Sequence, residues 1–260
     1  MADQIVRLQD LALMAQARGI DLTSTEGRHA SRDRLQALFI RLQKLLTPDF
    51  TLEIGAHAAN FSQRMHRQGI TAHAFEANPH IFAQFSASLA EKVPGMGYHH
   101  LAVCDVDGEV PFQVKQSHAG KALNKAARTN SLLRRSDPLY TYDSPRVPAT
   151  RLDSFLRAQG LDGQGFSAWV DVEGAFASVS AGFGTALRHC LSLIVEVEEM
   201  AFWQGQMLFR DVMRYLHAQG MDPVARDFEG AHQFNLLYLR RDLLDHPAIR
   251  AELASHFAGG

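Results

Sequence analysis

The chain of 260 residues has only two cysteines, Cys104 and Cys190, which cannot make a disulfide framework. A reducing cytoplasmic setting is therefore expected. No apolar run approaches the ~20 residues of a membrane span, and the first residues, M-A-D-Q, lack a basic-then-apolar signal pattern. The formal net charge is only −2, so the molecule carries no overall electrostatic footprint for nucleic acid. There is no G-x-G-x-x-G; the one glycine turn that follows a strand reads Gly55-Ala-His-Ala-Ala-Asn60, which disfavours a dinucleotide oxidoreductase. Thirteen histidines are present, yet none falls into a tight metal-ligand spacing. Internal repeats, low-complexity tracts and domain-splitting linkers are also missing. What remains is 46% hydrophobic and 21% charged, the balance of a globular protein with a sizeable core.

The most informative stretch runs from Leu52 to Pro79. Phe50–Ile54 reads as a short apolar strand interrupted by Glu53; Gly55-Ala56-His57 is a tight turn; 58–67 is a helix; 70–75 is a second strand that ends on Glu76. A helix that begins directly after a strand aims its free N–H groups and dipole into the crevice at the strand ends. Gly55 permits close approach of a ligand, with Ala56, His57 and Asn60 beside it. Glu76, followed by Ala77 and Asn78, stands where a carboxylate takes both hydroxyls of a ribose, and Glu53 can accept from an ammonium group. Ammonium, carboxylate and ribose on one ligand point to S-adenosylmethionine.

Elsewhere, 4–18 reads as a helix with Ile5, Leu8, Ala12 and Ala15 inward, and Ser31 is the expected cap of a second helix with Leu35, Leu38, Phe39, Leu42, Leu45 and Leu46 inward. This pair, 1–48, is expected as an N-terminal extension that packs on the sheet or forms a homodimer surface; 49–260 is the catalytic domain. A third strand is expected at 98–103, joined through the Asp107-Gly108 turn to a hairpin partner at 110–114. Residues 115–146 carry Lys115, Lys121, Lys125, Arg128, Arg134, Arg135 and Arg146 against Asp137 and Asp143. With poor apolar periodicity, this basic segment reads as a mobile insertion that draws in an anionic acceptor. Further strands are expected at 146–150, 166–172 and 191–197, with helices from 152, from the 170s to His189 and over 207–219. A hairpin over 221–226 and 234–240 closes the sheet, and a helix from Asp242 frays at Gly259-Gly260.

Alternating strands and helices ending in a hairpin give an α/β, Rossmann-like, mostly parallel seven-stranded sheet of the class I methyltransferase type, with N-terminal helices added. The order of L-E-I-G-A-H, A-F-E-A-N-P, L-A-V-C-D-V-D-G-E-V, T-R-L-D-S-F-L, W-V-D-V-E-G-A and I-V-E-V resembles the FkbM family over roughly residues 50–240. The resemblance implies S-adenosylmethionine-dependent O-methylation of a hydroxyl on a sugar or other small natural product, leaving S-adenosylhomocysteine. It places Ala102 and Val103 against the adenine and Asp171, Glu173 and Gly174 in the family's D-x-E-G turn. The chain departs from the family at His57 (usually Asn), Ala59 (usually Gly), Trp169 (usually Lys) and Phe176 (often Glu).

Asp171 and Glu173 follow a central strand and are the expected catalytic pair, Asp171 near the methionine end of the cofactor and Glu173 toward the acceptor. No metal is assigned; a divalent cation held by Asp171, Glu196 and Glu198 is a lesser alternative. His232 and His118 are secondary candidates for the base. The expected partner is a small acceptor, anionic or sugar-linked, and not nucleic acid, since 171–174 does not read as an N-P-P-Y-like tetrad. A catalytically silent cofactor-binding module that serves as an assembly partner is the competing reading.

Overall fold

Phe50–Ile54 forms strand β1, and all five of its residues are buried because it is flanked on both sides by parallel neighbours. It sits within a computed structural model that describes residues 2–258. Before it come helices α1 (Ala2–Met14) and α2 (Thr25–Leu46). After it come α3 (Asn60–His66), β2 (Thr71–Phe75), α4 (Pro79–Lys92) and β3 (Gly97–His99). A run of short strands follows: β4 (Ala102–Val103), β5 (Gly108–Pro111), β6 (Val114–His118), β7 (Lys121–Ala122), β8 (Tyr140–Asp143) and β9 (Arg146–Thr150). The chain continues through α5 (Leu152–Gln159), β10 (Phe166–Val170), α6 (Phe176–Phe183) and β11 (Cys190–Glu198). It ends with α7 (Phe209–Ala218), β12 (Met221–Arg226), β13 (Gln233–Arg240) and α8 (Pro247–Ala258). The fraying expected at Gly259 and Gly260 lies outside the described residues.

The chain forms two compact units, one of Asp49–His189 with Ala201–Met207, the other of Met1–Pro48, Cys190–Met200 and Leu208–Gly260. In the first, β10, β1, β2 and β3 lie side by side in that order, all parallel, with Phe50 opposite both Phe166 and Thr71. β1 and β10 are buried almost throughout, as parallel strands covered on both faces are, whereas β2 is exposed at Thr71 and β3 is half-buried. In the second, β13 pairs antiparallel with both β11 and β12, and α1 and α2 pack on this hairpin's side of the unit. The chain has the mostly parallel α/β fold of the class I methyltransferase type, with β13 running against its neighbours.

Several expectations need correction. The second helix starts at Thr25, capped by the Ser24 hydroxyl, which accepts from Gly27 N at 3.0 Å; Ser31 instead lies inside the helix, buried. The Asp21 turn, whose carboxylate holds Thr23, sets Ser24 up as the cap. On α1 the buried apolar residues are Val6 and Leu13, whereas Leu8 is 63% exposed; the helix is apolar on both sides, so its pattern could not choose the inward one. Leu45 of α2 is likewise exposed.

The strand expected at 98–103 is two strands in different sheets. β3 pairs with β2, while β4 pairs in parallel with β9. The Asp107-Gly108 turn does not join a hairpin, because β9 lies between β4 and β5. Asp107 has another use: its carboxylate accepts from Arg151 N and the Ser154 hydroxyl, fixing the start of α5. The strand from Phe166 stops at Val170, since Glu173 and Gly174 turn the backbone to positive φ, +53° and +82°. The helix that follows ends at Phe183, not His189, and Gly184–His189 is a 3-10 turn.

The basic segment 115–146 is not the mobile loop expected. β6 pairs with β7 and β8 in a three-stranded sheet of its own. Periodicity failed here because the buried positions are polar: Lys115, Asn130 and Ser131 are each under a tenth exposed. They are satisfied locally, Lys115 N donating to Asn130 Oδ1 at 2.9 Å and Ser131 Oγ to Glu173 O at 2.8 Å.

Candidate functional site

Three strand tips meet at Gly55. Its N–H and that of Ala56 donate to Phe75 O, and Asp171 N donates to Ile54 O at 2.9 Å. A Cβ at Gly55 would lie 1.7 Å from the Asp171 carbonyl oxygen, and its φ is +83°. Only glycine fits both demands. The turn beyond is wound tightly, with His57 at φ +46° and Ala59 at φ +53°, both in the left-handed region that disfavours side chains. Where the family usually has glycine, this chain places a fully buried alanine.

Two buried carboxylates hold this turn. Glu53 is 8% exposed and reaches the first turn of α3, accepting from Ser62 N at 2.7 Å and Phe61 N at 3.3 Å. Glu76 is 6% exposed; one oxygen accepts from His57 N at 2.8 Å and the other from Asn78 N at 2.7 Å. Burial pushes both acids up to about 7, against the pull of these N–H donors, and the negative charge of Asp171 adds to the rise in each. The two glutamates and Asp171 thus share one electrostatic neighbourhood, in which each negative charge raises the cost of the next.

The other expected contacts fall around this core. Asn78 caps α4 by accepting from His80 N, and its amide donates to Lys125 O of the basic segment. Ala56 is buried, Asn60 is exposed at the start of α3, and Ala77 packs on the small cluster that contains Ala102 and Phe112. Ala102 and Val103, each 3% exposed, sit on β4. Trp169 lies against Phe61 of α3, ring centroids 5.7 Å apart. His118 pairs with Asp137 at 2.8 Å on the small sheet, and the exposed His232 lies 3.6 Å from Glu199.

Glu173 belongs to a second set. Its Oε2 lies 3.7 Å from Arg135, whose guanidinium stacks 3.8 Å over the Trp203 ring. Gly174 must be glycine here, because a Cβ would meet that same ring at 2.9 Å. Arg135 Nε is buried with no hydrogen-bond partner. Lys115 is 5% exposed, its ammonium on the Thr129 hydroxyl; burial and the neighbouring Arg135 lower it to about 8. Two cations therefore face Glu173.

Some of this was not readable in the sequence. Tyr98 donates its hydroxyl to His57 O at 2.6 Å and stacks on Phe82. Trp203 forms the platform for Arg135 from a segment with no periodic signal. Each depends on a contact between residues more than forty positions apart.

The family described as the methyltransferase FkbM domain matches this chain over residues 53–223. No curated protein matches in sequence. Among solved structures, the chain is similar to a magnesium protoporphyrin IX methyltransferase from Synechocystis PCC 6803 with bound S-adenosylmethionine, at 9% identity, TM-score 0.45, over 85% of this chain and 84% of that one. It is also similar to a Burkholderia thailandensis 1,6-didemethyltoxoflavin-N1-methyltransferase with bound S-adenosylhomocysteine, at 14% identity, TM-score 0.40, over 83% and 84%. A third is an S-adenosylmethionine-dependent methyltransferase from Clostridium acetobutylicum ATCC 824, at 6% identity, TM-score 0.42, over 80% and 91%.

Proposed function

We propose, for a chain that belongs to the FkbM methyltransferase family, that it transfers a methyl group from S-adenosylmethionine to a hydroxyl of a small, anionic acceptor such as a substituted sugar. The observation that carries the reading is the pair of buried glutamates at the glycine turn. Burial raises both to about 7, and a cationic ligand would favour their charged forms. The fit is chemical as well as electrostatic. Glu76, at the tip of β2, offers two oxygens toward a diol; Glu53 and Asp171 offer charge toward an ammonium and a sulfonium.

The bound cofactor supplies an already activated methyl group, so the chain's task is mainly to orient and to exclude water. Gly55 lets the tips of β1 and β10 close together beside the turn. Asp171 stands at the end of β10 toward the methionine end, and Glu173 takes the proton from the acceptor hydroxyl. Arg135 and Lys115 hold an anionic group of the acceptor, a role that the unpartnered Arg135 Nε supports. Trp169 and Phe176, which replace the family's usual Lys and Glu, raise the alternative of a silent cofactor-binding module.

Calorimetric titration with S-adenosylhomocysteine should show one site, whereas tight binding of a nicotinamide dinucleotide would overturn the reading. Because the ionised glutamates attract the ligand's ammonium, affinity should rise with pH up to about 7 and level off above it, with a slope of at most roughly tenfold per pH unit for each proton released. A flat profile between pH 6 and 8 would remove the glutamates from the site. For the acceptor, labelled methyl transfer into hydroxylated compounds that carry a carboxylate or phosphate should fall at least tenfold in Arg135→Gln, through a raised KM, with cofactor affinity unchanged. Equal turnover of neutral and anionic acceptors would count against it, and no transfer to any acceptor would favour the silent module.

A further inference from the structure

The unit built from the N- and C-terminal segments holds a half-open cavity of about 750 Å³ that the methyl-transfer reading does not use. Its size is that of a small-molecule site. Leu13, Ile20, Val224 and Phe257 give it apolar walls, and Arg18, Arg34 and Arg226 line it too. No aspartate or glutamate does.

Other arginines of the same unit do meet carboxylates. Arg32 lies 2.6 Å from Glu229, Arg41 2.6 Å from Glu252, Arg210 3.0 Å from Asp10 and Arg214 2.6 Å from Asp3. Among the described residues, the three arginines of the cavity have no such carboxylate. Arg34 donates to the carbonyl of His256 at 3.0 Å. Arg226 is 7% exposed, yet it has only the Asp227 carbonyl at 3.0 Å and the Met14 sulfur at 3.2 Å, with its guanidinium flat on the Phe234 ring. Burial lowers its pKa, against the pull of Glu199, Asp227 and Asp10. The remaining guanidinium N–H donors along the cavity are ready partners for an acceptor there. A carboxylate would satisfy the fork, and the apolar wall would take the rest of the ligand.

We propose that this cavity binds an organic carboxylate with an apolar body, its head on Arg18, Arg34 and Arg226 and its chain along Leu13, Ile20 and Phe257. The site stands apart from methyl transfer and does not depend on that reading.

The test is calorimetry on the full chain with decanoate, kept below its micellar range, and with decanol as the neutral control. Decanoate should bind saturably, one per chain, with decanol at least tenfold weaker. Arg34→Gln and Arg18→Gln should each weaken decanoate by tenfold or more while the far-ultraviolet circular dichroism stays unchanged. Should Arg34→Gln fail to fold, the exposed Arg18 carries the same test. Equal binding of decanol and decanoate, unsaturable uptake, or unchanged affinity in a folded arginine variant would overturn the proposal.

Discussion

Gly55→Ala should lower the melting temperature by about 6–12 °C, which corresponds to roughly 3 kcal/mol in a chain of this size. The reason is local and double. The added methyl would lie 1.7 Å from the Asp171 carbonyl oxygen, and the backbone there has φ +83°. Asp171 cannot easily retreat, because its own N–H is bonded to Ile54 O at 2.9 Å. Relief therefore separates the tips of β1 and β10. Gly69 has the same φ of +83°, but nothing lies within 4 Å of its Cβ. Gly69→Ala should thus cost only the conformational part, about 1 kcal/mol. Thermal melts of the two variants side by side isolate the overlap. Similar losses in both would mean that strand-tip crowding at Gly55 is not what demands glycine. Binding of S-adenosylhomocysteine should disappear in Gly55→Ala and persist in Gly69→Ala.

The second large effect is expected at Glu76. Glu76→Ala should reduce S-adenosylhomocysteine affinity by about a hundredfold, through lost contacts to the ligand and release of the His57 and Asn78 N–H groups it now accepts from, each worth roughly 1–3 kcal/mol when left unpaired. Glu76→Gln keeps the shape and one acceptor, so it should fall between. The same residue governs stability against pH. Its folded value, about 7, lies above the 4.5 of the unfolded chain, so the native state binds the extra proton between them. Stability is then greatest below pH 4.5 as far as this group is concerned, and it declines as pH rises through 7, by roughly 3 kcal/mol when complete. Denaturation by urea at pH 5 and pH 8 should show that decline in the wild type and a smaller one in Glu76→Gln. Identical pH slopes in the two proteins would mean that Glu76 is already ionised in the fold and that another acid, Glu53 first, carries the effect.

Reading the sequence placed β1, the glycine turn, β2, β10 and the terminal hairpin close to where they lie, because each is written in short-range chemistry. Phe50–Ile54 is a short, mostly apolar run with one acid, Gly55 breaks it, and the two strands of the hairpin flank a glycine-containing turn. Where patterns were double-valued, the reading erred. Apolar residues on both sides of α1 hid its inward face, and the polar interior of 115–146 looked like a loop. The Asp107-Gly108 turn looked like a hairpin until β9 came between its arms.

What the amino acids determined unaided was the class of fold, the glycine bend and the acids beside it, since backbone freedom, strand burial and helix N-termini act within a few residues. Only the folded molecule decided what those acids do: Glu53 grips the N–H groups of α3, Glu76 ties two loops together, and Arg135 lies on Trp203 beside Glu173. Those partners come from distant parts of the chain, and burial, which sets their charge, exists only once the distant parts have met.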